Sequence, residues 1–145
     1  PGWRICMLAG NPEMISYVLK AKSNVESGMF KPMQMAAAKA LEADKDWYDG
    51  INSVYRARRK YAEAILDYIG CTYDKSQVGL FMWGKIPASY KSCEEVADKI
   101  LYDCRVFVTP GFIFGSNGDR YIRISLCSTE EKLSEALQRI KENLK

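Results

Sequence analysis

Apolar and polar residues alternate through Arg120-Tyr121-Ile122-Arg123-Ile124-Ser125-Leu126-Cys127. This is the period of a strand, with Ile122, Ile124 and Leu126 on one face and Tyr121, Arg123, Ser125 and Cys127 on the other. From Asp46 to about Ile69 the period changes. Trp47, Ile51, Val54, Tyr55, Tyr61, Ala62, Ile65, Leu66 and Ile69 recur at helical spacing and Gly70 is a natural stop, so one long amphipathic helix is expected. Near the start, Ile5 to Ala9 reads as a short apolar strand. Gly10-Asn11-Pro12-Glu13 then offers an N-cap, a proline at the first helical position and an acid in the first turn, which predicts a helix to about Lys22. A loop from Ser23 to Lys31 leads to an Ala- and Met-rich helix from about Pro32 to Ala43, in which Met33 and Met35, with Met29 before it, read as core or interface filler.

Further on, Gln77 to Trp83 reads as a strand ended by the Pro87 region, and Ser92-Cys93-Glu94-Glu95 is a capping box for a helix with Val96, Ile100, Leu101 and Cys104 on one face. Ser128-Thr129-Glu130-Glu131 opens a terminal helix carrying Leu133, Ala136, Leu137, Ile140 and Leu144. Strands at about 78–84, 105–109 and 120–127 between these helices predict an α/β chain whose α+β part is a small sheet covered by helices.

Arg123 is the residue in this pattern that calls for chemistry. A guanidinium on the polar face of a strand suits a bidentate anionic partner such as a carboxylate ligand, and equally a structural Asp or Glu, or solvent. The preceding stretch, Val106 to Asp119, is a hydrophobic strand running into a loop with Gly111, Gly115 and Gly118. Those glycines admit backbone shapes that other residues resist, and Phe112 and Phe114 among them suggest a wall over a site. Trp83 and Tyr121 are read as core.

Composition narrows the classes. At 48% hydrophobic and 12% aromatic the 145 residues can build a core, burying roughly 70% of the unfolded surface. A net charge of +3, with acids and bases mixed, suggests neither a nucleic-acid nor a membrane surface. The basic run Arg56-Ala57-Arg58-Arg59-Lys60 is expected to be a solvated helix face. Histidine is absent, which removes Ser-His-Asp and Cys-His nucleophiles. Five cysteines at no metal-ligand spacing read as reduced packing residues of a cytoplasmic protein, with no metal site. No apolar run approaches the roughly 20 residues of a membrane span.

Taken together, TPGFIFGSNGDRYIRIS resembles the C-terminal signature of class I/II aminotransferases, the pyridoxal-phosphate enzymes of the aspartate aminotransferase fold. The resemblance implies that Arg123 grips the substrate α-carboxylate and that the loop around Phe112 and Phe114 closes the pocket. Pro1-Gly2-Trp3-Arg4-Ile5 resembles the family segment following the catalytic lysine, which gives Arg4 the cofactor phosphate; Cys6 stands where the family has glycine. The Schiff-base lysine of the family precedes that arginine by more than the three residues available here. By the same resemblance residues 1–44 are a remnant of the large cofactor-binding domain. Residues 45–145 are the small domain, entered through the long helix, and the loop after the first helix lies near the dimer interface.

The implied reaction transfers an amino group from an amino acid to a 2-oxo acid in a homodimer, with pyridoxal 5'-phosphate in the parent enzyme. This chain alone is expected to be inactive and not to hold the cofactor as an aldimine. The alternatives are a non-catalytic folding or dimerisation module and a fragment of a lyase of the same fold. Residues 1–44 are expected to swap, to repack or to leave apolar surface exposed.

Overall fold

Asn11 closes the first helix end as its sequence predicts. In the computed structural model, which describes residues 3–144, its side-chain oxygen accepts from the backbone N–H of Glu13 at 2.8 Å and of Met14 at 3.3 Å. Helix α1 runs over Pro12–Val25, three residues beyond the expected end, and α2 over Lys31–Ala40. The expected strand at Ile5 to Ala9 does not form, because an isolated apolar run has no ladder to join and no described segment pairs with it. No residue of α1 or α2 is buried, and Leu8, Met14, Leu19, Phe30 and Leu41 are exposed. The chain divides into two units between Tyr48 and Asp49.

Helix α3, Lys45–Ile69, begins in the first unit, where Asp44 caps it by accepting from the N–H of Trp47 at 2.9 Å. Its helical stripe extends through the whole helix, but only Ala62, Ile65, Leu66 and Ile69 are buried, all in the second unit. They join a core completed by strand β1 (Phe81–Lys85), helix α4 (Cys93–Cys104), strand β3 (Tyr121–Ser125) and helix α5 (Glu130–Asn143). Ile65, Leu66, Met82, Ile100, Ile122 and Ile140 are almost entirely removed from water, each worth about 1.5–3 kcal/mol of burial.

The sheet is antiparallel in the order β1-β3-β2, where β2 is only Thr109–Pro110. Proline has no N–H to extend that ladder, and the chain turns at Gly111 into two short 3₁₀ segments, Gly111–Phe114 and Ser116–Gly118. Strand β1 begins four residues later than expected. Asp74 and Ser76 make a turn, and Gly79 takes a φ of +98°, which ends any extended run from Gln77. Ser92 caps α4 by accepting from the N–H of Glu95 at 3.1 Å, and the Glu95 carboxylate accepts from the N–H of Lys91 at 2.7 Å. Helix α5 is capped by Thr129 rather than Ser128.

In the basic run of α3, Arg56 and Lys60 are exposed as expected, but Arg58 and Arg59 are not solvated. Arg58 donates to the carbonyl of Leu126 at 3.1 Å. Arg59 donates to the Glu63 carboxylate at 2.9 Å, to the carbonyl of Lys75 at 2.9 Å and to that of Gln77. Both arginines are half-buried. Among the described residues no helix is long and apolar enough to cross a membrane, and no group of three or more His, Cys, Asp or Glu side chains could hold a metal ion.

Candidate functional site

The pleat of β3 places Ile122 and Ile124 in the core and turns Tyr121, Arg123 and Ser125 to the opposite face. Trp83 of β1 pairs directly with Arg123, Phe81 with Ser125, and Lys85 with Tyr121, so one face of the two strands carries three aromatic rings around a guanidinium. The guanidinium carbon of Arg123 lies 4.1 Å from the centre of the Phe81 ring, 4.3 Å from that of Phe114 and 6.0 Å from that of Trp83. The Trp83 ring meets Phe114 edge-on at 5.3 Å and Tyr121 at 6.4 Å.

No described acid pairs with Arg123, and its Nε is buried with no hydrogen-bond partner. The alternative of a structural Asp or Glu partner therefore does not hold. Two cation–π contacts at about 0.5–2 kcal/mol each are comparable to the roughly 1–3 kcal/mol cost of an unsatisfied buried donor. The rings can thus hold the guanidinium in place while its hydrogen-bonding capacity stays unspent. Arg120, three residues earlier, is the contrast. It donates to the carbonyls of Tyr90 and Pro87 at 2.8 Å, Lys91 at 3.0 Å and Ile86 at 3.4 Å, and so ties the 86–91 loop to the sheet.

Two shallow depressions flank the Trp83–Tyr121 pair. One, of about 400 Å³, is lined by Trp83, Phe114, Asn117, Gly118 and Tyr121. The other, of about 350 Å³, includes Tyr73, Asp74, Gln77 and Lys85 beside the same two rings. The backbone N–H and hydroxyl of Ser76 both donate to Asp74 at 2.7 Å and hold its carboxyl below the usual range. Burial, and then a 3.0 Å hydrogen bond to Asp67, pushes the Tyr73 phenol up to about 12.

The family described as "Aminotransferase class I and II" matches residues 1–140. The chain belongs to the class I and II aminotransferases. It is 40% identical to the LL-diaminopimelate aminotransferase of Aquifex aeolicus over 99% of its own length and 37% of that protein's. Transaminase BacF of Bacillus subtilis is 34% identical over 96% of this chain and 35% of its own. The apo structure of BacF superposes with a TM-score of 0.76 at 33% identity, over 97% of this chain and 36% of that one. This aminotransferase chain thus spans a little over a third of the length of the relatives it matches.

Within the aminotransferase chain the structure brings Phe114 together with Arg123, and adds Phe81, Trp83 and Tyr121, which sequence reasoning did not assign to a site. The period-two pattern of Phe81, Trp83 and Lys85 was the available signal. Phe112 is 42% exposed and makes no ring contact with Arg123. Arg4 lies in the first unit, exposed, at a left-handed φ of 56°, and Pro1 and Gly2 of its motif lie outside the described residues.

The family implies pyridoxal phosphate in the parent enzymes. A phosphate needs several converging donors, whereas Arg4 offers one exposed guanidinium, and no described lysine is buried in an apolar pocket. By themselves these residues do not complete a site for the cofactor, to whose phosphate Arg4 would bring a single donor.

Proposed function

We propose that this chain is the substrate-carboxylate portion of an aminotransferase, which moves an amino group from an amino acid to a 2-oxo acid. The observation that carries the reading is Arg123, held against two rings with no acid partner and with its Nε unspent. A planar fork of donors in a partly desolvated setting suits the α-carboxylate common to amino acids and 2-oxo acids. In the parent enzyme pyridoxal phosphate, when bound, supplies the electron sink. Arg4 would be one donor to its phosphate. Phe81, Phe114 and Trp83 exclude water around the Arg123 guanidinium, which strengthens its grip and fixes the bound carbon skeleton in one orientation.

For the 145-residue chain by itself we propose carboxylate binding without turnover, favoured by the absence of any buried lysine among the described residues. The test is a titration with sodium 3-phenylpropionate, followed through the side-chain N–H resonance of Arg123, beside a pyridoxal-phosphate titration with borohydride trapping. Saturable carboxylate binding that is lost in Arg123→Gln, with no lysine trapped, is the expected result. Carboxylate binding unchanged in Arg123→Gln would sink the assignment, and specific trapping at one lysine would sink the claim of no turnover.

A further inference from the structure

Strand β1 is the outer strand on its side of the sheet, and the outward backbone groups of Trp83 need partners other than β3. Two residues on, Lys85 finds them in a main-chain bridge, donating to Thr72 at 2.7 Å and accepting from it at 2.9 Å. At Trp83 a side chain takes over. The Oε1 of Gln77 accepts from the Trp83 N–H at 2.8 Å, and its Nε2 donates to the Trp83 carbonyl at 3.2 Å. A carboxamide carries one acceptor and one donor side by side, the same pair that a neighbouring strand would present.

Gln77 is itself fixed. Its Nε2 also donates to the Asp74 carbonyl at 3.0 Å, and its own carbonyl accepts from Arg59 of α3, whose guanidinium is held in turn by Glu63 at 2.9 Å. The chain of contacts runs from Arg59 through Gln77 to the backbone of Trp83, and the Trp83 ring packs on Phe114 and Tyr121 beside Arg123.

We infer that Gln77 is a positioning residue for the Arg123 site. It clamps the outer edge of β1 at Trp83, so that the ring cage stands ready before a carboxylate arrives. The inference rests on reading Arg123 as the carboxylate anchor. Its substrate-side consequence is a split between affinity and stability: loosening Trp83 weakens the grip on the ligand more than it weakens the fold, because the buried face of β1 belongs to Met82 and Gly84.

The test is a titration of the full chain, labelled with fluorotryptophan, with 3-phenylpropionate. The ¹⁹F signal of Trp83 is told from those of Trp3 and Trp47 by a Trp83→Phe sample. In the wild type that signal is sharp and moves on binding. Gln77→Met, similar in size but without either bond, is expected to broaden it before ligand is added and to weaken binding about three- to tenfold, with circular dichroism unchanged. Gln77→Glu keeps the acceptor and loses the donor, so it falls between; it serves as the second variant if Gln77→Met does not fold.

Wild-type affinity and a sharp Trp83 signal in either Gln77 variant, alongside lost binding in Arg123→Gln, would overturn the positioning role and leave the carboxylate site standing. No binding by the wild type, or binding unchanged in Arg123→Gln, would remove the carboxylate site and the inference with it.

Discussion

Arg120 and Arg123 lie three residues apart, yet one guanidinium is saturated by four backbone carbonyls while the other is left open on a bed of rings. The difference is alternation and context. Arg120 precedes β3, where the carbonyls of the 86–91 loop converge, whereas Arg123 sits within the strand on a face built from aromatic carbon. An unsatisfied buried donor costs about 1–3 kcal/mol, and an apolar replacement that keeps the ring contacts avoids that cost. Since the lost cation–π attraction is of similar size, Arg123→Met is expected to leave the melting temperature within a few degrees of wild type, at about 4–8 °C per kcal/mol in a domain of this size, while abolishing carboxylate binding. Thermal unfolding followed by circular dichroism checks the first part and the ligand titration the second. A clear fall in melting temperature would show that the guanidinium serves the fold rather than a ligand.

The loop from Gly111 to Gly118 is shaped by close backbone contact more than by unusual torsions. A Cβ added to Gly118 would stand 2.0 Å from the carbonyl oxygen of Gly111, and one on Gly111 would stand 2.3 Å from that of Gly118. Only Gly115, at φ +116°, uses a backbone shape that side chains resist. Two backbones pinched together at the base hold Phe114 against Arg123, so Gly111→Ala and Gly118→Ala should each cost about 2–4 kcal/mol and weaken carboxylate binding, measured by urea unfolding and titration. Equal stability in both would mean that the pinch opens freely.

The strap from Thr72 to Gln77 is latched to α3 by Tyr73 on Asp67 as well as by Arg59. The Tyr73 phenol is raised from about 10 to about 12, chiefly by burial, so the folded chain holds that proton more tightly than the unfolded one. Its stabilisation is present below pH 10 and is lost as pH rises through about 12. The advantage of wild type over Tyr73→Phe in urea unfolding should shrink across that window. A gap that stays constant to pH 12 would contradict the latch.

At the scale of the whole molecule, what could be read from the residues was what depends on local period and end chemistry. The β3 alternation, the Asn11 and Ser92 caps, the α3 stripe and its stop at Gly70 all reappear, and so does an arginine facing away from the core. What could not be read depends on who sits beside whom. Nothing in Arg58-Arg59 announces that their partners are carbonyls up to 68 positions away, and nothing in Gln77 announces that its side chain replaces a strand. The Ile5 to Ala9 run failed as a strand for the same reason, since a ladder needs a neighbour that no local pattern supplies. The buried core lies wholly in the second unit, from Ala62 to Leu144, and the described first unit contributes no buried apolar residue to it. A chain beginning at Ala43, which keeps α3 and its Asp44 cap, should therefore unfold cooperatively at the same urea midpoint as the full chain and bind 3-phenylpropionate equally well. The full chain should in addition bind an apolar dye such as ANS through the exposed Leu8, Leu19, Phe30 and Leu41 and lose that signal on truncation. A lower midpoint in the shortened chain would show that the first unit supports the core, and an unchanged dye signal would place the apolar surface elsewhere.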